Sequence, residues 1–245
     1  MNLLVISLAP VVIILAYVYI RDKYEKEPVG LVLKGFIAGA AVLIPVAFIE
    51  TELSRLSIGW GQISFALYTG FVVAGATEEL FKFLIVYLLF FRNRNFNERY
   101  DGIVYAIAVS LGFAAVENVM YVFRGGIQVG LLRAFTAVPA HAFFGIIMGY
   151  YFGLARFVPG IKSKSLVKAF ALPWFLHGLY DFILYSQNPW LLLAFVPLMF
   201  ILLRLGLKRM KQHQLASAFN PQSENFLELP VEEDNANEND QIKEA

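Results

Sequence analysis

Glu78 and Glu79 stand side by side in the run Ala76-Thr77-Glu78-Glu79-Leu80-Phe81-Lys82-Phe83, within an apolar stretch from Ile63 to Phe91 that carries no charge outside this run. A charge at bilayer depth costs at least ~2.5 kcal/mol, so ionisable residues there mark a functional site. Few others share that setting: Glu117, followed by Asn118, then His141, and then His177 with Asp181. Carboxylate and imidazole together supply a base and an acid near neutral pH, which is what activation of a water molecule requires. The chain has no cysteine, no Gly-x-Ser-x-Gly, no Gly-x-Gly-Asp and no His-Glu-x-x-His. Thiol, serine, aspartyl-dyad and zincin routes therefore lack their signatures.

Spacing assigns partners among these residues. Glu78 and Lys82 share one helix face and form an ion pair, which turns Glu79 roughly 100° away and leaves it the freer base. His177 and Asp181 have the same spacing, so the carboxylate can fix the imidazole tautomer. Asn118 is expected to bond across helices, and His213, beside Lys211, to be solvated. Two readings of another class remain beside a hydrolase. Lys82 with Glu78 can be a neutralised structural pair, and the buried carboxylates and histidines can form the relay of a proton-coupled transporter or channel.

The elements that must position these groups are membrane spans. Hydrophobic residues make up 58% of the 245, charged ones only 16%, and the mean hydropathy is +0.61. That composition indicates an all-α polytopic transmembrane bundle. Apolar runs at 3–20, 31–49, 63–91, 102–123, 133–155, 168–186 and 190–207 give about seven spans. Arg21, Lys23 and Lys26, then Arg92, Arg94 and Arg99, then Arg156, Lys162 and Lys164, then Lys208, Arg209 and Lys211 fall on one side. By the positive-inside rule that side is cytoplasmic, with the N-terminus outside and the C-terminus inside. The run 63–91 is long for one straight crossing, which predicts a break near Gly70, Gly75 or Thr77. Residues 1–207 thus form a membrane-embedded catalytic domain, 208–219 a basic juxtamembrane surface helix, and 220–245 an acidic disordered cytoplasmic tail. A net charge of +1 gives no electrostatic case for a nucleic-acid partner.

The order of motifs resembles a known family. Glu78-Glu79-x-x-Lys82 is followed by Asp101-Gly102-Ile103-Val104-Tyr105, Gly112-Phe113-Ala114-Ala115-Val116-Glu117-Asn118, His141-Ala142-Phe143-Phe144-Gly145 and His177-Gly178-Leu179-Tyr180-Asp181. With Asp22-Lys23-Tyr24-Glu25-Lys26-Glu27-Pro28, these resemble the PrsW family of bacterial membrane proteases and, more distantly, the CAAX prenyl endopeptidase superfamily. The resemblance implies an endopeptidase of the bacterial cytoplasmic membrane that cuts a membrane-anchored protein, an anti-sigma factor whose cleavage releases a stress response. It implies functional roles for Glu78, Glu79, Glu117 and His177, with His141 and Asp181 in further motifs and Lys82 and Asn118 in support. Where the CAAX-type pattern has Phe-x-x-x-His, this chain has Phe113-x-x-x-Glu117, so that histidine's role passes to His141 or is absent. Glutamate-activated water requires no cofactor. Zinc is the alternative, held by Glu79, Glu117, His141 and His177.

Overall fold

The computed structural model describes residues 2–223. Its helices are α1 (Leu3–Arg21), α2 (Val29–Ser54), α3 (Gln62–Tyr68), a π-helical segment (Thr69–Ala76), α4 (Thr77–Leu89), α5 (Asp101–Phe135), α6 (Ala137–Phe157), α7 (Lys162–Tyr185) and α8 (Pro189–Leu215). Their ends follow local chemistry. Asn2 caps α1 by accepting the Leu4 N–H at 3.0 Å, and Asn188 caps α8 through Trp190 at 2.9 Å. Pro189 follows in the first helical position, where its missing N–H costs nothing.

Among the described residues, four helical stretches are long and apolar enough to cross a membrane: Leu3–Arg21, Val29–Ser57, Asp101–Phe157 and Pro189–Leu215. The third is α5 joined to α6 across Thr136. The rods carrying Glu78, Glu79 and Lys82 (α3 to α4) and His177 with Asp181 (α7) are not in that set. The expected break in 63–91 takes the form of the π segment, which places Glu78 and Glu79 in the first turn of α4.

The centre of the bundle is α5, buried from Asp101 to Ala115. A helix buried on every face needs apolar or small residues all round, and Val104 to Ala115 provides them. The α2–α5 crossing is closest at two glycines. A Cβ on Gly39 would lie 2.0 Å from the Val109 carbonyl oxygen, and one on Gly112 would lie 2.0 Å from that of Phe36. Farther along, α5 bends at Gly126, whose φ of 76° only glycine adopts easily. The helix expected to start at 133 therefore starts at 137, and Arg133 stays on the returning arm of α5.

Helix α8 runs through position 207 to Leu215. The expectation for His213 is corrected, since it is 1% exposed rather than solvated. Its Nε2 lies 2.8 Å from the Tyr150 carbonyl oxygen and its ring stacks on Tyr150 at 4.2 Å. Gly153 leaves the room, since a Cβ there would sit 2.9 Å from that nitrogen. Beyond α8, the Ser217 hydroxyl donates to Glu98, and Asn220 to Ser223 form a turn. The acidic tail from 224 onward lies outside the described residues.

The α1–α2 loop folds over the N-terminal end of α5. Tyr105 donates its hydroxyl to Glu27, and the Glu27 N–H donates to Asp22 Oδ2 at 3.3 Å. Burial pushes the Asp22 carboxyl up to about 6 and the Glu27 carboxyl up to about 7.

Gly112→Ala should destabilise the protein by about 1–3 kcal/mol, because a backbone carbonyl stands where the methyl must go. Gly30→Ala, which meets nothing within 4 Å, should leave stability unchanged or slightly raised. Thermal unfolding of both variants in detergent checks the contrast.

Candidate active site

The site is built outward from Lys82. Its side chain is 1% exposed, and its Nζ donates to Glu78 Oε2 at 2.9 Å and to Glu79 Oε1 at 2.8 Å. The same nitrogen lies 3.2 Å from His141 Nδ1 and 4.4 Å above the Phe113 ring. Positions i−4 and i−3 are both within reach of one helical side chain, and an ammonium has three protons to give. Lys82 therefore takes both glutamates. Glu79, expected to turn away from Lys82, is bonded to it as well.

The two carboxylates then diverge. Glu78 lines a cavity of about 720 Å³, whereas Glu79 is 0% exposed and is absent from its walls. Glu79 Oε1 also lies 2.9 Å from His177 Nδ1, while its Oε2 is buried with no hydrogen-bond partner. His177 is stacked on Phe144 at 4.9 Å, and its Nε2 is 3.5 Å from Asp181 Oδ2. The i, i+4 partnership read from the sequence is thus an ion-pair contact, longer than a direct hydrogen bond.

A second line of bonds fixes His141. Lysine can only donate, so Nδ1 accepts from Lys82 and Nε2 carries the ring proton. That Nε2 lies 2.9 Å from Glu117 Oε2, which Arg133 Nη2 also approaches at 2.8 Å. Arg133 Nε donates to Asn118 Oδ1 at 2.8 Å, and Asn118 donates onward to the Ser7 carbonyl at 2.8 Å. Ser110 holds the His141 carbonyl at 2.7 Å.

Close backbone packing brings α7 onto the π segment. A Cβ on Gly70 would lie 2.7 Å from the Gly178 carbonyl oxygen, so the two backbones nearly touch. Trp174 donates its indole N–H to the Phe71 carbonyl at 2.6 Å, satisfying a π-segment acceptor. The extra residue in a π turn rotates the next helical residues by roughly 100° relative to an uninterrupted α-helix. Glu78 and Glu79 begin the helix after that rotation.

Glu78, Glu79, Lys82, Glu117, Asn118, His141, His177 and Asp181 all belong to this network or to its rim. Two members went unrecognised. Glu50, near the end of α2, lines the cavity and leaves Oε1 buried without a partner; its place just past the expected end of a span gave no warning. Arg133 reads as a loop charge until the bend at Gly126 returns it to Glu117.

Residues 27–205 match the family model described as PrsW family intramembrane metalloprotease. The chain belongs to the PrsW family. It is 38% identical over 217 residues to Protease PrsW of Oceanobacillus iheyensis, covering 88% of this chain and 99% of that protein. It is 37% identical over 207 residues to Protease PrsW of Bacillus subtilis, covering 84% and 93% respectively. Protease PrsW of Clostridioides difficile matches at 33% identity over 220 residues, 87% and 92% of the two chains. No solved structure matches. The chain is a protease and a multi-pass protein of the cytoplasmic membrane, so the transporter reading gives way.

The family description implies a metal, and the donor set fits one. Glu78, Glu79 and His141 offer ligand atoms within 4.8 Å of one another. A cation, the Lys82 ammonium, already sits among them, and Glu79 Oε2 is an orphaned buried oxygen beside it. Two carboxylates and an imidazole suit zinc. Of the ligand set expected from the sequence, Glu79 and His141 belong to this trio, and Glu117 and His177 stand one hydrogen bond from His141 and Glu79 respectively.

Lys82→Met should lower stability by about 3–5 kcal/mol in metal-free protein, since two buried carboxylates lose their counter-charge. Zinc should restore much of that loss by filling the vacated space. Unfolding of the variant with and without zinc, against the parent chain, reads both effects.

Proposed function

We propose that this protease hydrolyses a peptide bond of a membrane-anchored protein, with Glu78 as the base that activates water. The observation that carries the reading is the convergence of Glu78, Glu117, His141 and His177, from α4, α5, α6 and α7, on one cavity. Lys82 donates to Glu78 Oε2 and fixes that carboxylate at the cavity wall. Glu78 takes a proton from water as the oxygen attacks the peptide carbonyl. His177 Nε2, beside Asp181, is placed to deliver a proton to the leaving amine as the C–N bond breaks. Glu79 orients His177 through Nδ1, and Glu117 orients His141 through Nε2. Arg133 adds positive charge at the cavity wall where a developing oxyanion would gain from it.

The converging trio and the family description favour a metal-assisted form of the same reaction. Zinc held by Glu78, Glu79 and His141 would supply Lewis acidity and make water nucleophilic near neutral pH. In that form Glu117 would orient His141 as a ligand, as carboxylates behind metal-binding histidines do. Metal content of the purified chain, with activity measured after chelation and after zinc return, separates the two forms.

We also propose seven crossings with the N-terminus outside. Seven helical rods among the described residues, with α3, the π segment and α4 as one, support that count. The cavity is lined by Ser54, Thr136 and Tyr185, at the ends of α2, α5 and α7. These ends lie away from the Arg21, Arg94 and Lys162 clusters, so the site opens outward if those clusters are cytoplasmic. The substrate we infer is a single-span anti-sigma factor cut at or just outside the bilayer surface.

Cleavage of such a substrate in proteoliposomes should fall about 10²- to 10⁴-fold in Glu78→Gln and in His177→Ala; undiminished cleavage by either folded variant would reject its assigned role. Topology has its own check, because the chain lacks cysteine. An impermeant maleimide should label Leu56→Cys on intact cells and Ser163→Cys only after lysis.

A further inference from the structure

At the end of the bundle remote from the cavity, roughly 20–40 Å along α2 from its walls, a second set of carboxylates converges that the proteolytic site does not use. Asp22, Glu25 and Glu27 come from the α1–α2 loop, and Asp101 opens α5. Glu25, Glu27 and Asp101 offer oxygens that all lie within 4.8 Å of one another. Asp22 and Asp101 are 0% exposed and Glu27 1%.

In three of these side chains the protein uses one oxygen and leaves the other over. Asp22 Oδ2 accepts the Glu27 N–H, Glu27 Oε2 accepts the Tyr105 hydroxyl, and Asp101 Oδ2 accepts the N–H groups of Asn97 and Glu98, both at 2.7 Å. Asp22 Oδ1, Glu27 Oε1 and Asp101 Oδ1 are buried with no hydrogen-bond partner, as is Glu25 Oε2. An unpaired buried carboxylate oxygen is costly, and Glu25, Glu27 and Asp101 offer oxygens close enough to share one partner.

The nearby cations do not serve. Lys26 Nζ donates to the carbonyls of Tyr19, Ile20 and Asp22, and Arg156 donates to those of Phe91 and Asn93. The hydrogen bonds shown for both go to backbone acceptors, not to these carboxylates. The donors on offer are all carboxylate oxygens, with no imidazole or thiolate, which is the preference of a hard divalent cation and not of zinc. Glu25 is only half-buried, so the group has an approach from solvent.

We propose that Glu25, Glu27 and Asp101 bind magnesium or calcium, and that the ion clamps the loop 22–28 to the start of α5. Because α5 carries Glu117 and forms the bundle's centre, the clamp would stabilise the scaffold without touching the reacting groups. The inference does not depend on the proteolytic mechanism.

The test uses the full chain in detergent, stripped with chelator and titrated by calorimetry with magnesium alone and with calcium alone. A Glu78→Gln background keeps the active-site donors out of the count. One saturable ion per chain is expected, with a rise in Tm at saturation, and the tighter of the two ions identifies the ligand. Glu25→Gln, which breaks no hydrogen bond shown for that residue, should weaken binding at least tenfold, as should Glu27→Gln. Absence of saturable binding by both ions, or binding unchanged in Glu25→Gln, would overturn the proposal and leave protons as the partners of this cluster.

Discussion

The arrangement depends on one buried ammonium. Lys82 lies in a low-dielectric interior, where an unpaired charge is expensive and its partners would be equally expensive without it. Its three contacts, to Glu78, Glu79 and His141, therefore join α4 to α6 and extend outward. Glu79 passes the constraint to His177 on α7, and His141 passes it to Glu117 on α5 and so to Arg133 and Asn118. In such a network each member polarises the next, and one missing partner leaves a costly orphan. The same dependence fixes rotamers, since no side chain here can turn without breaking a bond that nothing else replaces.

That network can form only if helices approach more closely than ordinary side chains allow. Glycine removes the obstacle at Gly39, Gly112 and Gly70, where backbone atoms occupy the space a Cβ would need, and at Gly178, where the Phe71 ring does. The π segment then sets the direction of the two glutamates, and Gly126 sets that of Arg133. The candidate site residues lie on helices of the bundle, and the irregular backbone is confined to the places where orientation must change. This division suits an active site, where small displacements of reacting groups cost rate steeply.

Much of the site was legible along the chain because a membrane penalises charge. Against an apolar background the few carboxylates and histidines stand out, and the helical period pairs Glu78 with Lys82 and His177 with Asp181. The residues that went unread are those whose meaning depends on depth or return of the chain. Glu50 sits one position past a hydrophobic run, where a charge is ordinary, and Arg133 follows an apparent turn. His213 looked solvated because its sequence neighbours are basic; a ring and a carbonyl on α6, more than sixty positions away, give it a buried place.

Hydropathy and motif order, both local properties of the chain, determined that this is a helical membrane protein with a carboxylate and histidine site resembling PrsW proteases. The tertiary structure decided which glutamate meets the cavity and which is held behind it, because an ammonium can bind at i−3 and i−4 together and spacing alone does not rank them. It also decided that Glu78 joins Glu79 and His141 as the converging donors while Glu117 and His177 stand behind. Those outcomes depend on contacts between helices that the one-dimensional pattern does not encode: the rotation introduced by a π turn, the bend at a left-handed glycine, and the distance at which two backbones can meet.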